Sequence, residues 1–244
     1  MTQGRKSGLN RLLSVILVLA VLAGIVWAAF SMARGWTPSR DQYPLQGVTV
    51  NAVSGAISWR ALAAQGVNFG YIEATRGSDI RDERFIENYR EASAAEIGFA
   101  PLHHYSLCRL ASDQAENFVT TVPRDEKAMP AAIVLEFDEE CTSRPTQSLV
   151  VSELITFLNQ VESHMGKRAI LRVSPQFEKE YSVSSAIARD VWLTGNYFPP
   201  DYASKAWVMW TANDRYSIDG AEQPIAWNVI RSEKPSSEET SSAE

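Results

Sequence analysis

The sequence predicts the α/β class: one closed barrel of about eight strands, its last strands joined by short connections, behind a single N-terminal apolar helix. Two observations carry the barrel. Short β-rich runs alternate with helical patterns, which implies a mainly parallel sheet with right-handed crossovers. A chain of 244 residues, 45% apolar and 21% charged, suits one globular domain. A third observation carries the helix: no charged residue occurs from Leu12 to Ala33.

Arg5, Lys6 and Arg11 make residues 1–11 a basic flank, and residues 12–33 are long enough as a helix to cross a hydrocarbon layer of about 30 Å. The flank is expected in the cytoplasm, which places everything after the helix on the periplasmic or extracellular side of the cytoplasmic membrane. A retained transmembrane signal-anchor is the expected form. The alternative is a cleaved signal peptide, for which Ser31-Met32-Ala33 offers a small-residue site. Cys108 and Cys141 are the only two cysteines. An oxidising compartment makes a disulfide the natural reading, against two separate buried thiols. Closing that loop is worth about 4 kcal/mol on the chain-entropy argument.

Residues 34–44, with GWTPSRDQYP, read as a linker, residues 45–231 as the folded part, and residues 232–244, with PSSEETSSAE, as a disordered acidic tail. The strand candidates are GVTV (47–50), FGYIEA from Phe69, FAPLHHY from Phe99, AAIVLEF from Ala131, AILRV from Ala169, VWLT from Val191, AWVMWT from Ala206 and IAWNVI from Ile225. Helices are expected over 59–64, 82–95, 112–122 and 148–165. The last is the clearest, with Val150, Leu154, Phe157, Leu158, Val161 and Met165 at helical spacing and Gly166 as a stop. A net charge of −6 with no basic stripe argues against a nucleic-acid partner. No Cys/His spacing marks a metal site, and no cofactor is implied.

In a parallel barrel the active site lies where strands end and loops begin. Along the folded part run QGVTVNAVSGAISW (46–59), GVNFGYIEATRG (66–77), the helix ERFIENYREASAAE, HHYSLCR, DQAENF, LEF and the closing WNVI. In their order and spacing these phrases resemble glycoside hydrolase family 25, the Chalaropsis-type lysozymes (N-acetylmuramidases) that cut N-acetylmuramic acid linkages in peptidoglycan. The resemblance covers nearly the whole folded part and implies a flattened, TIM-like β/α barrel ending in extra strands.

It also implies a pair of carboxylates around a sugar bond, one protonated to donate to the leaving oxygen and one ionised to stabilise the cationic transition state. Three of the four family acid positions here are uncharged: Thr49 in the first strand, Val134 in the fourth and Ala226 in the last. Pro130 and Cys141 fix that register, so Glu136 keeps the general acid's position while Asp138, Glu139 and Glu140 fall in the following loop. Flanked by Leu135 and Phe137, Glu136 is expected to have a raised pKa through desolvation. The plainer alternative is a strand-end acid meeting solvent or an arginine.

Glu73 and Arg76 stand where family members commonly have Lys and Glu. The exchange reads as a salt bridge, or else Glu73 is a compensating carboxylate if it lies about 5 Å from Glu136. By the resemblance His103 matches a family histidine, either a substrate contact or a hydrogen-bonded strand residue that shapes the cleft. Asn228 keeps the Asn of the last strand's phrase. Trp192, Tyr197, Trp210 and Trp227 are candidate sugar platforms, with a place in the core as the alternative for each.

Two functions follow from these residues. One is a membrane-anchored hydrolase of peptidoglycan glycan strands with weakened activity, Glu136 acting as its acid. The other is a catalytically inactive relative that binds peptidoglycan or a cell-envelope partner.

Overall fold

The computed structural model describes residues 3–232; Met1, Thr2 and the acidic tail from Glu233, with its expectation of disorder, lie outside the described residues. The chain falls into two compact units that divide between Trp36 and Thr37. The first is built on one helix, α1 (Gln3–Arg34), whose stretch Ser14–Arg34 has a mean hydropathy of 2.6 and is long and apolar enough to cross a membrane.

The second unit is a closed eight-stranded barrel. Its strands are β1 (Gln46–Val50), β2 (Phe69–Arg76), β3 (Ile80–Arg81), β4 (Gly98–His104), β5 (Ala132–Leu135), β6 (Ile170–Val173), β7 (Asp190–Thr194), β8 (Met209–Tyr216) and β9 (Ile225–Ile230). Strand β3 only pairs with the end of β2. The other eight, all expected from sequence, close the ring in the order β1-β2-β4-β5-β6-β7-β8-β9 and back to β1. Neighbours from β1 to β8 are parallel, and β9 runs antiparallel to both β8 and β1. The reversal has a simple cause. The connection from β8 to β9 is too short to carry a crossover, so β9 can only fold back as a hairpin partner.

Helices α2 (Trp59–Ala64), α3 (Phe85–Ala94), α4 (Ala111–Thr121) and α5 (Gln147–Met165) lie within a few residues of their expected positions. The apolar stripe of α5 is buried, and its end is set by Gly166, whose φ of +67° is the left-handed conformation that glycine adopts without a Cβ penalty. Two short helices after β6, α6 (Pro175–Tyr181) and α7 (Val183–Ala186), were not foreseen. Ser174 caps α6 through its hydroxyl and Pro175 opens its first turn, a start signal that the seven-residue length hid.

Inside the ring, alternate residues of successive strands form the core: Phe69, Tyr71, Ala100, Leu102, Ala132, Val134, Ile170, Trp192 and Met209. At the seam between β1 and β2 a Cβ on Gly47 would sit 2.3 Å from the Phe69 carbonyl oxygen, so this close approach needs a glycine. The linker reading needs correction over its second half. Tyr43 is buried against Trp207 and Trp210, and Arg40 donates to the Gly66 carbonyl at 2.8 Å, so residues 37–44 belong to the barrel unit.

Candidate functional site

Barrel side chains alternate in and out, and one irregularity decides which charges meet at the mouth. In the β2/β4 pairing Glu73 opposes Leu102, but a bulge follows, so that Thr75 opposes His103 and Arg76 opposes His104. Without it, residues 73 and 76 would face opposite sides of the sheet. With it, Thr75 and His103 meet behind the strand, Thr75 Oγ1 lying 2.7 Å from His103 Nδ1. Glu73 and Arg76 pair on the inner side at 3.3 Å, and His104 turns inward beside them.

His104 is the centre of this cluster. Its Nε2 lies 3.2 Å from Glu73 Oε2 and its Nδ1 3.2 Å from Glu136 Oε1, the latter an ion-pair contact without hydrogen-bond alignment. Burial disfavours the charged ring, but the two carboxylates outweigh it and raise the His104 pKa. Glu73 is itself buried, which works to raise its pKa, yet His104, Arg76 and the Asn51 amide together hold it at about 2. Asn51 Nδ2 donates to Glu73 Oε2 at 3.3 Å.

Glu136 sits one residue beyond β5, with its side chain 45% exposed. The pKa expectation for it is overturned: contact with His104 acts first, ahead of burial, and lowers it. The Glu136 loop is tied down by the Cys108–Cys141 disulfide, Cα–Cα 5.8 Å, which joins the segments leaving β4 and β5. The Glu73–Arg76 salt bridge exists as read, but Glu73 is only 8% exposed and is shared with His104, so it is no surface pair. An imidazole stands between Glu73 and Glu136, and they do not form a bare carboxylate pair.

Of the three uncharged positions singled out in the sequence, two adjoin and the third stands apart. Thr49 faces Ala226 across the β1/β9 pairing, and Val134 lies between His104 on β4 and Arg172 on β6. Below the mouth runs a neutral chain of donors. Trp192 Nε1 donates to Thr211 Oγ1 at 2.8 Å, that hydroxyl to Asn228 Oδ1 at 2.9 Å, and Asn228 Nδ2 to Thr49 Oγ1 at 2.9 Å. Open spaces lie at this end of the barrel. One of about 640 Å³ is lined by Thr49, Asn51, Glu73, Arg76, His104, Arg172, Asp214 and Ala226 among others; a smaller one of about 220 Å³ contains Glu136.

Most of the expected sugar contacts are placed elsewhere. His103 is fully buried on the outer side of β4, stacked on Phe157 with centroids 4.7 Å apart and 3.4 Å from Gln114; burial lowers its pKa to about 3, so it is a neutral structural histidine. Trp192 is buried in the barrel interior, Trp210 packs with Tyr43 and Trp207, and Trp227 donates to Gln46 at 2.7 Å from within the core. Asn228 is also buried, its amide spent on Thr211 and Thr49. Tyr197, 38% exposed with φ +69°, is the one expected platform among these that meets solvent. His104 and Arg172 escaped the sequence reading. The signal for both was strand parity: each follows an inward residue, Leu102 or Ile170, by two.

Residues 48–221 match the family described as glycosyl hydrolases family 25. The uncharacterised protein YegX of Escherichia coli K12 is 25% identical over 195 residues, 77% of this chain and 70% of that protein. Lysozyme M1 of Streptomyces globisporus is 27% identical over 133 residues, 52% of this chain and 44% of that enzyme. A family 25 glycosyl hydrolase from Bacillus anthracis superposes with a TM-score of 0.74 at 27% identity, covering 82% of this chain and 94% of its own. The lysozyme of Streptomyces coelicolor superposes with a TM-score of 0.68 at 19% identity, covering 77% and 92%.

Proposed function

The chain belongs to glycosyl hydrolase family 25, and from that premise we propose that its barrel, held outside the cytoplasm by α1, takes peptidoglycan glycan strands across the mouth and cuts them slowly or not at all. The single observation behind this reading is the ion pairing of His104 with both Glu73 and Glu136, in a mouth where Thr49, Val134 and Ala226 stand at the family's acid positions. A glycosidase of this kind needs a protonated acid and an unneutralised anion near the cationic transition state. Here His104 holds the Glu136 pKa down and Glu73 is shared between Arg76 and His104, so a protonated acid and a free anion are both disfavoured. Losing one such electrostatic contribution costs about 10² to 10³ in rate.

A second reading, hydrolysis with Glu136 as general acid, is favoured by one observation: this carboxylate remains at the end of β5 and open to solvent. It requires reprotonation of Glu136, so any hydrolysis should rise toward acidic pH. Purified, labelled peptidoglycan incubated with the full chain in detergent, beside Glu136→Gln, separates the two. Sedimentation with the insoluble wall without release of reducing ends supports the binding protein. Release by the parent and not by the variant, increasing as pH falls, supports the hydrolase.

A further inference from the structure

Arg172 is a cation without a counter-ion in hydrogen-bonding reach. Its guanidinium makes no hydrogen bond or ion pair with any described residue, its Nε is buried and unpartnered, and its central carbon lies 5.1 Å from the centroid of the Trp192 ring. A guanidinium carries five N–H donors and stays charged in proteins, so leaving it thus in a cavity wall is costly unless something else fills its fork. The nearby acids do not. Glu73 is taken by His104, Arg76 and Asn51, Glu136 by His104, and Asp214 is an exposed residue of the cavity rim. Uncharged Val134 is its neighbour in register, at one of the family's acid positions. Arg172 and Arg76 both line the 640 Å³ cavity.

We propose that Arg172 is the recognition group for a carboxylate carried by the bound glycan, namely the lactyl carboxylate of a muramic acid residue from which the peptide has been removed. This rests on the glycan-binding reading above and sharpens it: the strand preferred is the peptide-free one, in which that carboxylate is an anion and not an amide. The fork of the guanidinium can donate two parallel N–H···O bonds to a carboxylate, and the Trp192 ring lies beneath it. Burial pulls the Arg172 pKa down, and the carboxylates farther off only partly oppose this, as expected for a charge waiting for a partner.

The test titrates the full chain in detergent with peptide-free glycan strands, and with the same strands after their carboxylates are converted to methylamides. Free-acid strands should bind roughly ten- to a hundredfold more tightly, the range of a charge-assisted contact. That preference should vanish in Arg172→Met and be partly kept in Arg172→Lys. Equal affinity of the parent for acid and amidated strands would overturn the inference while leaving the glycan reading intact. A preference that survives in a folded Arg172→Met would also overturn it. Tryptophan fluorescence, with Trp192 as reporter, compares N-acetylmuramic acid with N-acetylglucosamine, which lacks the lactyl group. A response to the first alone, dependent on Arg172 and without strand binding, supports the carboxylate site and removes the strand reading. No response to any of these ligands removes both.

Discussion

His104 stands between Glu73 and Glu136, with one ring nitrogen 3.2 Å from each carboxylate. By the resemblance only Glu136 keeps a family acid position, and this barrel interposes an imidazole between it and Glu73. The arrangement turns a potential acid and anion into an internally neutralised cluster, and its energetics depend on pH from both sides.

Stability should therefore peak in a defined window. The raised His104 pKa contributes stability that is complete below its unfolded value of about 6.5 and is lost as pH climbs through the higher folded value. The depressed Glu73 pKa contributes stability that is complete above about 4.5 and fades as pH falls toward about 2. The two shifts share the His104–Glu73 contact and are therefore not added; the cluster contributes on the order of 3 kcal/mol. The depressed His103 pKa adds stability that is complete above about 6.5 and lost as pH falls toward about 3, so thermal melting of the full chain from pH 3 to 9 should show a maximum near pH 6.5 with a falling limb on each side. A melting temperature that is flat from pH 5 to 9 would contradict the ion-paired His104.

The two adjacent histidines should separate cleanly on mutation. His104→Ala leaves Glu73 with Arg76 and the Asn51 amide and should cost about 2–3 kcal/mol in urea unfolding while moving the acid limb to higher pH. His103→Gln breaks the Thr75 contact and the stacking on Phe157, costing about 1–3 kcal/mol, and flattens the acid limb between about pH 6.5 and 3 because the buried neutral imidazole is gone. If His103→Gln left that limb as steep as in the parent, the assignment of a buried neutral ring to residue 103 would be wrong.

The barrel was legible because its elements obey simple periods: all eight ring strands and four helices follow from alternation, helical spacing and breakers. The site was less so. Period-two reading puts Glu73 and Arg76 on opposite faces, and the bulge that unites them leaves no mark in the letters YIEATRG. Similarity to a family phrase drew attention to His103, whereas parity with the core residue Leu102 assigns the inward place to His104. The tryptophans follow the more frequent rule that aromatics on strands fill cores.

Reducing the Cys108–Cys141 disulfide should cost up to about 4 kcal/mol from the loop it closes. The loss should also be local, since the loop after β5 carries Glu136 and is fastened there to the segment after β4. Paired Cys108→Ser and Cys141→Ser substitutions should lower the melting temperature and weaken the high-pH limb due to His104, because one of its two anions becomes loosely held. An unaltered melting curve in reductant, with thiol titration showing the bond open, would remove the disulfide from this account.

Restoring a carboxylate at residue 134 tests the charge balance of the mouth directly. A buried aspartate without a partner costs several kcal/mol, and replacing Val134 also gives up about 1–2 kcal/mol of apolar burial. In register, however, the new side chain lies between His104 and Arg172, so Val134→Asp should find a guanidinium waiting. The expected net cost is about 1–2 kcal/mol in the parent background and about 4 kcal/mol in Arg172→Met, where that partner is gone. A double-mutant cycle in urea thus gives a coupling of about 2 kcal/mol or more between residues 134 and 172. The same substitution should erase the preference for free-acid glycan strands, since the internal carboxylate occupies the fork meant for the ligand. Absence of coupling would show that the Arg172 charge is satisfied by something other than an anion placed at this floor.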